Sequence, residues 1–200
     1  MKKIFTLLSA VCLALGAYAQ GQAQLITQNF NGTTIPTNWT QNTLATDGGW
    51  KFGTNTALGS SYFPIPSTGS NIAATNDDAC NCNKSADYLI TDYVDLTSYG
   101  SIHATFKMYY YHAAYQGSQE NAAFLYSTDH GTTWVTAKNF TSGTNGWEDI
   151  YVNVSGAGYS DSVLFAFRYG DGGGYNYGMA IDDFSVYIPY NYDFTTSSLS

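Results

Sequence analysis

The chain has 200 residues and a formal net charge of −8 at pH 7, with thirteen Asp against two Glu on its acidic side. Beyond Lys2 and Lys3 its five remaining basic residues, Lys51, Lys84, Lys107, Lys138 and Arg168, are scattered, which argues against nucleic acid and anionic membrane as partners, because phosphate binding needs clustered cations. Eighteen Tyr and twenty Gly, with many Thr, Ser and Asn and few long helix formers, suit pleated strands joined by tight turns.

Met1 to Ala19 carries the three parts of an export signal: Lys2 and Lys3, the apolar run Ile4 to Gly16, and the small-x-small site Ala17-Tyr18-Ala19. The mature chain is expected to start at Gln20. No other stretch approaches the ~20 apolar residues a bilayer span needs, so no transmembrane span is expected. Cys12 leaves with the signal, and Cys80 and Cys82 stay.

Leu25 to Phe30 reads as the first strand, and Thr33 to Asn38 as the turn before Trp39. From Thr46 to Thr75 the chain is punctuated by Gly, Ser, Asn and Pro, which predicts loops around short strands at Trp50–Phe52 and Ile72–Ala74. Tyr88 to Thr91 reads as a buried strand, and Asp95 to Tyr99 as a turn. Strands are then predicted at His103–His112, Ala122–Ser127, Thr133–Lys138, Trp147–Val154, Ser162–Tyr169 and Gly178–Ile188. This recurrence favours one all-β domain, a β-sandwich, over residues 24–189. In the last strand a period of two puts Asp182, Phe184, Val186 and Ile188 on the core face, with Asp183, Ser185 and Tyr187 opposite. Residues 190–200 lose the apolar alternation and read as a linker or tail.

Four separated stretches form one pattern: Asn29-Phe30-Asn31-Gly32 with Trp39-Thr40-Gln41; Gly48-Gly49-Trp50-Lys51-Phe52-Gly53; Asn76-Asp77-Asp78 with Asp87-Tyr88-Leu89-Ile90; and Ala180-Ile181-Asp182-Asp183-Phe184. In order and spacing they resemble MAM-like jelly-roll modules. The resemblance is closer to the cleaved-adhesin or choice-of-anchor J modules of secreted bacterial proteins, which include the haemagglutinin/adhesin domains of the gingipains. It implies an antiparallel two-sheet jelly roll, a bound calcium ion, and adhesion or binding of an extracellular glycan or protein. The acidic residue usual after the first-strand Phe is Asn31 here, which removes one carboxylate ligand.

Calcium takes six to eight oxygens from carboxylates, amides and carbonyls. Asn76, Asp77, Asp78, Asp182 and Asp183 supply such a set if the first and last strands lie side by side, as the resemblance implies. Asp182 stands out, because an unpaired carboxylate in a core-facing row needs a cation or donors. Cys80-Asn81-Cys82 fits a small disulfide, which export favours; a zinc site is short of ligands. Ser127 to Trp134 fits the Asp-box pattern S-x-D-x-G-x-T-W, in which Asp129 caps a turn and Trp134 packs behind it. Tyr175 and Tyr177, after the flexible turn at Asp171, are candidates to stack on sugar rings, with Asp171 orienting hydroxyls.

Glu120 and Glu148 are the only glutamates, and no clustered carboxylates of a jelly-roll glucanase accompany them. His103, His112 and His130 have no nucleophile in a recognisable setting. The expected function is therefore a secreted, calcium-stabilised, non-catalytic binding or adhesion module. A hydrolase or hydrolase-accessory domain and a purely structural surface protein are the other two classes.

Overall fold

The long strands of the second half alternate large apolar side chains with small or polar ones, and that alternation builds the core. The computed structural model describes residues 23–189; the export signal and the tail at residues 190–200 lie outside the described residues. The elements run β1 (Ala23–Gln28), β2 (Thr40–Asn42), β3 (Lys51–Gly53), α1 (Asn55–Leu58), β4 (Ile72–Asn76), α2 (Asp77–Cys80), β5 (Asp87–Ile90), β6 (His103–Tyr110), β7 (Ala114–Tyr115), β8 (Ser118–Gln119), β9 (Asn121–Ser127), β10 (Val135–Phe140), β11 (Glu148–Asn153), β12 (Leu164–Gly170) and β13 (Gly178–Ile188). No helix among the described residues is long and apolar enough to cross a membrane.

One sheet has the order β11-β6-β13-β4-β3, with β1 also on β13; the other runs β10-β9-β12-β5-β2, and β7 and β8 form a separate hairpin. All the pairings are antiparallel. The fold is thus an all-β antiparallel sandwich of jelly-roll type. Phe106, Met108 and Tyr110 of β6 face Phe124 of β9 and Phe165, Phe167 and Tyr169 of β12 across the core. Their neighbours Tyr109 and Tyr111 point the other way, into a satellite cluster with Phe63 and Ile72. Phe106 meets Phe167 edge to face at 4.9 Å, and Phe184 meets Phe167 at 5.1 Å, arrangements that suit the ring quadrupoles.

β13 is the central strand. β6 lies along one of its edges from Met179 to Tyr187. Its other edge is shared, with β4 taking Gly178 to Ile181 and β1 taking Phe184 to Ile188. Opening and closing strands therefore pair, as the resemblance implies. Where the edge changes hands the register shifts between Asp182 and Ser185, and Asp183 has a left-handed φ of 49°. This bulge adds a residue and inverts the alternation. Met179 and Ile181 face the core before it, and Phe184 and Val186 after it. The period-of-two reading that put Asp182 in the same row as Phe184 is corrected here: Asp182 is buried, but on the face of Ala180 rather than that of the main core.

Charges join the two sheets at one end. The Lys84 side chain is fully buried and pairs with Asp47 at 2.9 Å and Asp87 at 3.2 Å. Asp87, on β5, also accepts from Thr75 of β4 at 2.7 Å and from Thr43, while its carbonyl accepts from the Trp50 indole at 3.2 Å. Removing the cation leaves the fully buried Asp87 carboxylate without its counter-charge and close to Asp47, which keeps only Lys51. Lys84→Met is expected to cost about 3–5 kcal/mol of unfolding free energy in urea. Lys51→Met, which removes only the half-exposed partner of Asp47, should cost less than about 1 kcal/mol.

Candidate functional site

The one-turn helix α2 starts where β4 ends, because the Asn76 side chain caps it by accepting from Ala79 N at 3.0 Å. Its exposed amides meet the segment before β13: Asp77 N and Asp78 N both donate to the Tyr177 carbonyl, at 2.8 and 3.1 Å. Asn176 N donates in return to Asp77 Oδ2 at 2.6 Å. The Tyr175 hydroxyl donates to Asp78 Oδ1 at 2.9 Å, and Tyr62 N donates to Asp78 Oδ2 at 3.1 Å. Tyr175, Asn176 and Tyr177 are thereby held against α2.

A cleft of about 200 Å³ opens over this junction, lined by Tyr62, Asp78, Tyr115, Tyr175, Asn176 and Tyr177. Tyr62 and Tyr115 are 69% and 43% exposed, so their rings are offered to solvent. Tyr115 stands edge-on to Tyr175 with centroids 6.0 Å apart, on the β7–β8 hairpin, whose turn uses left-handed Gln116 and Gly117. Tyr177 turns partly inward, 5.2 Å from Tyr111. Asp171, expected to orient a ligand, is instead a turn cap. It is 3% exposed, and its carboxylate accepts from Lys84 N at 2.8 Å and Gly173 N at 2.7 Å. Gly172 follows with φ +70°, and a Cβ there would fall 2.2 Å from the Gln119 carbonyl, so only glycine fits.

Beneath the cleft, Glu120 is fully buried and accepts from Ala113 N, the Tyr169 hydroxyl, Tyr177 N and Gly178 N at 2.9 to 3.3 Å. Burial still pushes its carboxyl up, against the pull of those donors. It ties the hairpin to β13 and offers no free oxygen to a substrate. Glu148 lies on β11 and accepts from Asn145 N at 2.8 Å.

The expected calcium ligands do not converge. Asn76 pairs with Gly178 at one end of the β4–β13 ladder, and Asp182 lies past the Ala73–Ile181 pair at the other, which separates Asp77 from Asp182 by roughly 15 Å at ~3.3 Å per residue. Asp182 is satisfied locally by Ser70 Oγ at 3.0 Å and Asp183 N at 2.9 Å. Asn31, where the resemblance expects an acid, sits nearby through Asn71, which donates to the Asn31 and Gly32 carbonyls. Asp183 pairs with Lys107. Among the five residues only Asp77 has a buried oxygen without a donor, Oδ1; Asn176 Oδ1 is a second such atom. The Asn176 amide is oriented by its NH₂, which donates to Ser118 Oγ and the Asp171 carbonyl. These are two buried oxygens of the junction that accept no hydrogen bond, and the negative charge of Asp171 acts on Asp77.

Cys80 and Cys82 are joined by a disulfide at the end of α2. The Asp-box is a turn in which Asp129 accepts from Thr133 N at 2.9 Å and from the Ser127 and Thr133 hydroxyls at 2.7 and 2.6 Å. Those donors pull its carboxyl down to about 2. Tyr62, Tyr115 and Asn176 were not singled out from the sequence. The Gln116-Gly117 turn signal was there to be read, but nothing local says that its hairpin lies beside Tyr175.

This geometry defines a jelly-roll β-sandwich with an aromatic cleft at its loop end. Solved structures of the same architecture include the K3 cleaved adhesin domain of Lys-gingipain from Porphyromonas gingivalis (TM-score 0.58, 16% identity, covering 82% of this chain and 99% of that one). They also include a CBM61 in complex with β-1,4-galactotriose (0.51, 14%, 80% and 94%) and the CBM22-1 xylan-binding domain from Paenibacillus barcinonensis (0.52, 14%, 85% and 97%). No protein-family model matches the chain, and no curated protein matches it by sequence.

Burial, opposed by the Asn176 amide and reinforced by the negative charge of Asp171, raises the Asp77 carboxyl to about 6. Its neutral form is therefore favoured by folding. That stability is complete below the unfolded value of ~3.9 and is lost as pH rises through about 6. In chelator, Asp77→Asn is expected to melt with the parent chain near pH 4 and above it at pH 7.5. A difference in melting temperature that does not change with pH would remove Asp77 as its source.

Proposed function

We propose that this chain is an exported, non-catalytic glycan-binding module of a bacterial surface or extracellular protein, and that the loop-end cleft holds a single sugar at the end of a glycan chain. The observation that carries this reading is the set of tyrosine rings at one cleft, two of them exposed and the third fixed by Asp78. Flat rings stack on the apolar faces of sugars, and rigid rings lose little entropy on binding. The cleft's volume of about 200 Å³ suits a single sugar residue. The resemblance to cleaved adhesins and the architecture shared with glycan-binding modules support the same reading, as does the export-type leader.

Calcium completes the proposal. Asp77 and Asn176 would hold the ion, which would supply positive charge beside the buried Asp77 carboxylate and let it stay ionised at neutral pH. Because Asn176 lies between Tyr175 and Tyr177, a filled site would add to the hydrogen bonds that already hold the segment presenting the Tyr175 ring.

Two measurements test this reading. On a glycan array the parent chain should bind, and Tyr175→Ala should weaken binding about tenfold or more, as expected of an aromatic anchor; a flat array would favour a purely structural protein. At neutral pH, calcium should raise the melting temperature of the chelator-treated chain, with Asp77→Ala abolishing the response. An equal response in Asp77→Ala and the parent would place the ion elsewhere.

A further inference from the structure

A second groove lies on the outer face of the five-stranded sheet. It is open, about 470 Å³ in volume, and lined by Tyr88, Trp134, Asn42, Asp92 and His130 among others. The tyrosine cleft lies toward the end of β9 and β12 where Asn121 pairs with Gly170. This groove lies toward the other end, where Ser127 pairs with Leu164, roughly 20 Å away at ~3.4 Å per residue. The two do not share a residue.

The groove has an apolar floor and a polar rim. Ala123, Leu125 and Ala166 point away from the main core, yet they are at most 3% exposed because Tyr88, Ile90 and Trp134 cover them. Tyr88 and Trp134 meet at 6.1 Å with their planes tilted by 41°, giving two aromatic surfaces set at an angle. Trp134 leaves the Asp-box turn that Asp129 locks, so its ring is placed by a rigid support. Among the described residues, the side chains of Thr40, Asn42 and Thr132, the Tyr88 hydroxyl and the Trp134 indole N–H make no hydrogen bond within the protein. They are free to meet a ligand's hydroxyls.

We propose that this groove is a second glycan site, which takes an internal stretch of a neutral polysaccharide. At about 470 Å³ against about 200 Å³ for the small cleft, it has room for a longer stretch of chain. The charge of the lining excludes polyanions: it has no Lys or Arg, and its Asp92 is negative and already accepts from Asn38 and from Tyr93 N. An extended peptide lying across the floor is disfavoured because β5 and β12 are each paired on both edges; a peptide adding a strand would have to pair with the outer edge of β2, at the side of the groove. The proposal goes beyond the loop-end reading and rests on different residues. Together, two sites at opposite ends would let one module engage two glycan chains at once.

The test is isothermal titration of the full chain with hexasaccharides of β-1,4-linked xylose, galactose and glucose, with polygalacturonate as the anionic probe. At least one neutral hexasaccharide should bind, and Tyr88→Ala and Trp134→Ala should each weaken it about tenfold or more. Tyr151→Ala, on the outer face of the other sheet, should leave it unchanged. Since Trp134 also covers Ala123 and Ala166, Asn42→Ala on the rim provides a variant that removes no packing, and it should weaken the same ligand. The groove proposal is overturned if no neutral hexasaccharide binds, if polygalacturonate binds as tightly, or if folded Tyr88→Ala and Asn42→Ala both keep the parent affinity. Loss confined to Tyr175→Ala would overturn the groove while leaving the loop-end reading intact.

Discussion

Five ionisable groups buried at one end of the sandwich, Lys84, Asp77, Asp87, Glu120 and Asp171, constrain everything around them. A carboxylate taken out of water must find donors or a cation, and here the donors come from segments far apart in the chain. Glu120 draws in Ala113, Tyr169, Tyr177 and Gly178. Asp171 draws in Lys84 N and Gly173 N, and Lys84 bridges Asp47 and Asp87. The shape of the tyrosine cleft follows from this bonding, because its rings are borne on segments whose backbones satisfy buried charge.

The same network explains why Asp77 is chemically the most informative residue of the group. Its neighbours each have their lone pairs engaged, whereas Asp77 Oδ1 and Asn176 Oδ1 do not. On the proposed reading, proton and cation compete for that position. The proton wins at low pH without metal, and calcium is proposed to win at neutral pH when present. That proposal would link stability and the rigidity of the Tyr175 segment through one carboxyl.

The bulge at Asp183 has a comparable organising effect on the central strand. It lets β13 serve β4 with its first half and β1 with its second, and it turns Phe184 and Val186 back into the core. It also places Asp182 beside Ser70 rather than Asp77. The family-like Ile181-Asp182-Asp183-Phe184 stretch therefore marks a change of strand partner, with its own local donors.

What the amino-acid order alone determined was local. The recurring apolar stretches marked the strands that became β6, β9 and β12, the Gly and Asp signals marked the Asp-box and Asp171 turns, and the scattered cations argued against nucleic acid. Those features depend on a period of two and on turn chemistry, which a few neighbouring residues settle. Other features needed the folded chain. The short strand β2, the separation of Asp77 from Asp182, the approach of Tyr62 and Tyr115 to Tyr175 and of Tyr88 to Trp134, and the sequestration of Glu120 all follow from pairings between distant residues. A single bulge inverts a strand's facing, and a buried carboxylate recruits donors from wherever the sheet order brings them. Neither is written in any short window of sequence.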